Sequence, residues 1–275
     1  MGYRDATGAE KERFLAAAEH ARALCADAPV EFDAKNRRLI RRASPEGQTN
    51  IGGLSENALH LTLKYYLEPN ADYHEVADGR HVLDVCHGER AYEIQTRNFC
   101  SFRKKLAAVS AHRAVTVVHP LLRTKHVYWI DTEGGSVSGG KLSPKHEDIY
   151  HAFRELVYIR ELLGRENLSF CFPVLDCDEY RLLCGWDAKR KRGSVRQSLL
   201  PRELFGFYEY DTAFAFASLL PPVGDDGLTV PDLAKQLGKD TRVASAFANV
   251  LLYLDILRKD GKIGRKIRYR YGENY

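Results

Sequence analysis

A chain of 275 residues is longer than one compact core usually runs and favours two domains, while 44% hydrophobic and 28% charged residues exclude a disordered or collagen-like chain. Forty-one Lys and Arg against 37 Asp and Glu leave +4, too little to announce a nucleic-acid partner, so such a reading must rest on where the charge sits. The most apolar stretch, Ala213 to Leu220, is far short of the about twenty residues of a membrane span, and the start MGYRDATGAEKERF has no secretion signal, so the expectation is a soluble, cytoplasmic protein with no membrane partner.

Phe14, Leu15, Ala18, Ala21 and Cys25 recur at three and four and predict a helix over 9–27. Arg37, Arg38, Arg41 and Arg42 lead into a turn-rich stretch ending at Gly52-Gly53, read as a connector with a solvated basic face, so 1–53 is a helical extension. A second helix starts with Ser55 as N-cap, carries Glu56 in its first turn and stops at Pro69. Short strands follow at Tyr73 to Val76, His81 to Cys86 and Ala91 to Gln95, the last two joined by a turn through His87-Gly88-Glu89-Arg90. Ser101 to Ala111 reads as a helix bearing Arg103, Lys104 and Lys105; Ala114 to Val118 is a strand ended by Pro120, and His126 to Asp131 opens a hairpin through Glu133-Gly134-Gly135. A helix over Asp148 to Leu163 precedes strands at Leu168 to Leu175 and Tyr180 to Cys184, the former assigned to a sheet edge because Pro173 lacks an N–H. The first domain therefore covers 54–185, with 186–200 as a linker around Lys189-Arg190-Lys191-Arg192.

From 201 to 275 the pattern is helical at Thr212 to Leu219, Thr229 to Leu237 and Asp240 to about Leu257, closing with a basic hairpin over Arg258 to Tyr271. Three helices and a two-stranded wing predict a winged helix. Arg242, Ser245 and Asn249 lie opposite the apolar stripe of the third helix and could reach DNA bases or phosphates; the wing bears seven cations, including Lys262, Arg265, Lys266 and Arg268, against Asp260 alone. Six cysteines without a Cys-x-x-Cys pair give no zinc-finger spacing and are expected to be reduced.

The most informative spot is the first hairpin. Pairing Cys86 with Ala91 sets Val85 opposite Tyr92 and Asp84 opposite Glu93, and Gln95 shares Glu93's face. Two like charges across a strand pair are unfavourable unless a cation lies between them; the alternative is a solvent-facing edge where they diverge or pair with Arg90 or Arg97.

Residues 51–131 resemble the PD-(D/E)xK nuclease superfamily in their order: a helix bearing Glu56, a strand ending near Asp84, a turn, Glu93-Ile94-Gln95, a helix and a further strand. The final motif residue, usually Lys, is here Gln95, a variant also carried by some restriction endonucleases of that superfamily. The resemblance implies an α/β, restriction-endonuclease-like mixed sheet flanked by helices and a metal-dependent endonuclease hydrolysing DNA. Glu56, Asp84, Glu93 and Gln95 would be catalytic, and Asp84, Glu93 and the Ile94 carbonyl would hold Mg²⁺ (or Mn²⁺). A non-catalytic DNA-binding or regulatory protein on a degenerate nuclease fold is the alternative that Gln95 favours, and a homodimer is left open. The string Ile51 to Asp131, with EIQTRNF, also resembles an uncharacterised bacterial family that implies no activity.

Overall fold

The computed structural model describes residues 2–26, 30–33, 38–41, 58–131, 137–186, 192–273 and 275. In chain order the elements are β1 (Tyr3–Asp5), α1 (Gly8–Ala26), β2 (Val30–Asp33), β3 (Arg38–Arg41), α2 (Ala58–Leu67), β4 (His74–Asp78), β5 (His81–His87), β6 (Arg90–Ile94), α3 (Phe99–Val109) and β7 (Ala114–Val118). They continue as β8 (Leu121–Asp131), β9 (Lys141–Leu142), α4 (Ile149–Leu156), β10 (Leu168–Trp186), β11 (Arg192–Tyr210), α5 (Val230–Leu237), α6 (Thr241–Tyr253), β12 (Leu257–Ile263) and β13 (Lys266–Tyr271). The architecture is mixed α/β.

Nine strands among the described residues form one mixed sheet with the path β1-β11-β10-β7-β6-β5-β4, and β8 runs alongside β10 beyond the end of β7. Strands β4 to β6 form an antiparallel meander, and β7 is parallel to both β6 and β10, as expected where helices make the crossovers. Apolar residues alternate between the two faces: Val115 and Val117 of β7 point to the core shared with α3 and α4, and Val118 to the core shared with α1 and α2. Among the described residues no helix is long and apolar enough to cross a membrane.

Several expectations need correction. The strand with Pro173 is central, flanked by β11 on one side and by β7 and β8 on the other. The Cys171 carbonyl accepts from His119 N–H, so Pro173, two residues on, turns its ring nitrogen to the His119-Pro120 break between β7 and β8, where no ladder bond is lost.

The linker over 186–200 is instead the meeting of two nineteen-residue strands, Trp186 ending β10 and Arg192 opening β11, with 187–191 outside the described residues. Tyr180 to Cys184 reads as a strand in the outer half of β10, but its continuity with Leu168 to Leu175 and the whole of β11 escape the pattern, because a charge is buried there. Glu179 on β10 is fully buried and lies 2.5 Å from both Lys125 Nζ and Arg181 Nε. The connector before α2 contains the small β2–β3 hairpin.

The C-terminal segment is not a detached unit. Residues 201–210 complete β11, and Phe247 of α6 packs edge-on against Phe153 and Tyr150 of α4. Helix α5 has a Thr229–Asp232 capping box and ends on Gly238 at φ 62, and α6 starts on Asp240, whose side chain accepts from the N–H groups of Arg242 and Val243. Ala213–Leu219 forms tight 3-10 turns rather than an α-helix, and the last helix stops at Tyr253, short of Leu257.

Candidate functional site

The hairpin register is as the sequence sets it. Val85 pairs with Tyr92, Cys86 with Ala91 and His87 with Arg90, leaving Gly88-Glu89 as a two-residue turn in which Gly88 takes φ 63. Beyond Val85–Tyr92, Asp84 Oδ2 accepts the Ile94 N–H at 2.7 Å, which draws its carboxylate against the strand that carries Glu93. Asp84 and Glu93 are brought together by this geometry.

The surroundings are not those of a solvent edge. The Glu93 side chain is 3% exposed, and Lys105 Nζ of α3 reaches its Oε2 at 2.6 Å. Glu93 Oε1 is buried without a hydrogen-bond partner. His60 of α2 places Nε2 3.4 Å from Asp84 Oδ2.

A buried and a half-buried carboxylate acting on one another ionise unequally. Burial first, and then the Asp84 charge, push the Glu93 carboxyl up to about 8 against the pull of Lys105. Burial also raises Asp84, but the nearby His60, the charge of Lys105 and the Ile94 N–H outweigh it and its pKa falls below the usual carboxylate value. The pair therefore combines an ionised Asp84 with a Glu93 ready to hold a proton or a cation.

Gln95 is not part of this cluster. Its side-chain Nε2 donates to the Arg97 carbonyl at 2.5 Å, while its own carbonyl accepts from His119 Nδ1 at 2.6 Å. Glu56 lies outside the described residues, and among those described no three His, Cys, Asp or Glu side chains gather as a metal cluster. The residue that sequence reasoning missed is Lys105. The buried stripe of α3 is Phe99, Phe102, Leu106 and Val109, and Lys105 follows Phe102 by three and precedes Val109 by four, a spacing that already aims it inward. Glu75 was also missed: it sits on β4 between pairs that bracket Asp84, at φ 52, and takes the buried Lys64 Nζ at 3.1 Å.

In the C-terminal segment, Arg242 and Asn249 are exposed and Ser245 is half-buried. Asn249 Nδ2 folds back onto the Ser245 carbonyl at 2.8 Å, which leaves its amide oxygen outward. On the β12–β13 hairpin, Asp260 takes Arg268 at 3.0 Å and Arg270 at 2.6 Å, so Arg268 is tied down rather than free. Lys262, Arg265 and Lys266 are exposed and make no ion pair among the described residues.

A protein of Treponema pallidum (strain Nichols), described as an uncharacterized protein, is 30% identical over 120 residues, which are 43% of this chain and 47% of that relative. The chain spans about half the length of this curated relative. No solved structure matches. The model of the family described as Domain of unknown function (DUF8091) matches residues 57–210, from the foot of α2 to the last residue of β11, and so takes in Asp84, Glu93 and Lys105 but not α5, α6 or the basic hairpin. Since that match covers more than half of the chain, the protein belongs to the family of the Domain of unknown function (DUF8091).

Proposed function

We propose that the protein is a metal-dependent nuclease acting on DNA, with Lys105 supplying the positive charge that Gln95 cannot. The reading is carried by one observation: Asp84 and Glu93 lie together with Lys105 on one carboxylate oxygen and the other buried and unbonded. The run α2-β4-β5-β6-α3-β7, with β7 parallel to β6, supports the likeness to the PD-(D/E)xK superfamily. In the C-terminal segment, α5, α6 and the basic hairpin, with an isolated bridge from Leu228 to Tyr269, support a winged helix.

The residues fit a hard divalent cation, because Mg²⁺ is typically held by one or two carboxylates with the remaining positions left to water and phosphate. Asp84, Glu93 and the Ile94 carbonyl would hold it, and it would lower the pKa of a bound water and neutralise charge on the phosphate. Lys105 Nζ, which stands on Glu93 Oε2 at 2.6 Å, would stabilise charge that develops on a phosphate oxygen. The Ile94 N–H holds Asp84, and His60 beside it favours its ionised form. The exposed cations Lys262, Arg265 and Lys266, with Arg242 on α6, would hold the DNA backbone.

The second reading, a binding protein without catalysis, is favoured by the Lys105–Glu93 ion pair itself, which already neutralises the site, and by the turning away of Gln95. Incubation with plasmid and with single-stranded DNA in Mg²⁺ or Mn²⁺ separates the two. Cleavage that disappears in Asp84→Asn supports the nuclease; binding without cleavage of any substrate supports the second reading.

A further inference from the structure

A cavity of about 380 Å³, at the small end of ligand pockets, opens where the candidate site ends. Its wall begins at Thr96 and Arg97, the two residues after Gln95, and includes Leu59, the neighbour of His60 on α2. The opposite wall comes from α4 and the turn that follows it, which contribute Arg154 and Tyr158. The cavity is therefore bounded by the same strand end and helix that carry the carboxylate site.

Its polar groups fall into those turned to the walls, which include His119 on the Gln95 carbonyl, His151 on Asp148 and Arg196 at 3.4 Å from Glu179, and those that are not. Glu147 and Glu155 each spend an oxygen on a backbone N–H, of Leu122 at 3.1 Å and of Phe99 at 2.9 Å, and so serve the walls. The guanidinium groups of Arg97 and Arg154 are exposed and make no ion pair or hydrogen bond among the described residues. The Tyr158 ring is 51% exposed and meets no aromatic partner among the described residues. Pro120, Leu121 and Leu199, all buried, form the floor between them. Guanidinium groups without an ion pair suit a phosphate, and an exposed phenol ring suits a flat base.

We propose that this cavity is a nucleotide subsite, in which Tyr158 stacks one base of the substrate strand and Arg97 and Arg154 hold its phosphate. The assignment rests on the nuclease reading for its substrate. It adds that the preferred substrate is single-stranded or frayed, because a base inside a duplex cannot enter the cavity without leaving its stack. A free nucleoside monophosphate has the same chemistry and is the competing source of the ligand.

The test uses the full chain in EDTA, so that nothing is cut, with a 2-aminopurine-labelled single strand, the blunt duplex of the same sequence and a nucleoside monophosphate as probes. Stacking of one base is worth enough that Tyr158→Ala should weaken single-strand binding by about five- to a hundredfold, and Arg97→Ala/Arg154→Ala should weaken it as well. Tyr158→Phe should bind like the wild type, and duplex binding should be unchanged in all variants. Single-strand affinity unaltered by both Tyr158→Ala and the double Arg variant overturns the subsite. A nucleoside monophosphate that binds as tightly as the strand assigns the cavity to free nucleotide and overturns the strand assignment. Failure of the nuclease reading looks different: a wild type that cuts nothing in Mg²⁺ defeats that reading while loss of single-strand binding in Tyr158→Ala still supports the subsite.

Discussion

The β5–β6 hairpin and the β12–β13 hairpin both concentrate like charge, yet the fold treats them in opposite ways. The acidic pair of the first is sunk against α2 and α3, and burial moves its protonation and leaves a carboxylate oxygen unbonded. The cations of the second stand in water: Asp260 gathers Arg268 and Arg270, and Lys262, Arg265 and Lys266 remain exposed. Charges in low dielectric act on one another strongly and suit chemistry at one point, whereas exposed charges are screened within about 10 Å and suit diffuse contact with a polyanion.

The comparison breaks first at the buried pair. Asp84→Asn and Glu93→Gln each remove a hard anion at nearly constant size, and cleavage in Mg²⁺ should fall to background with the circular dichroism spectrum unchanged; a wild-type rate in either variant removes the metal site. Lys105→Met should lower the cleavage rate by about a hundredfold, a size typical of losing one group that stabilises developing charge. Adding Gln95→Lys to that variant should recover part of the rate, since the cation then returns to the position usual in the motif. No change in the rate of Lys105→Met would confine that lysine to a structural ion pair.

A pH prediction sharpens the contrast. The Glu93 carboxyl is raised in the folded protein from about 4.5 to about 8, so its contribution to stability is fully present below pH 4.5 and is lost as pH rises through about 8. Melting temperature in metal-free buffer should therefore fall across that window, and Glu93→Gln should flatten the fall. Asp84 shifts the other way, and the stability it contributes is lost only as pH drops through its lowered pKa. The exposed hairpin should respond to salt instead. Arg265→Ala/Lys266→Ala should weaken binding to all duplex sequences and make the plot of log affinity against log salt shallower by up to about two units. Arg268→Ala, whose guanidinium Asp260 already holds, should change that slope least.

Much of the local structure was legible. The Cys86–Ala91 pairing follows from a Gly-containing turn between two strands, and Asp84 meets Glu93 because register is set by such turns. The helix at 148–163 was legible in position, although only Ile149–Leu156 is α-helical and Val157–Leu162 tightens into 3-10 turns. The nineteen-residue strands were not legible as such, because Glu179, paired with Arg181 and with Lys125 of β8, buries a charge where alternation would demand an apolar residue. Pro173 misled because its missing N–H matters only if a neighbour's carbonyl is there to receive it, and that neighbour is broken at Pro120.

By itself the sequence determined turns, strand register and the location of charge runs, all of which depend on residues within a few positions of one another. Tertiary structure decided that β11 returns into the main sheet, that α6 shares a core with α4, and that Lys105 rather than Gln95 stands at Glu93. Each of these depends on which surfaces leave water together, and burial is what turns a charge run into either an ion pair or a free contact.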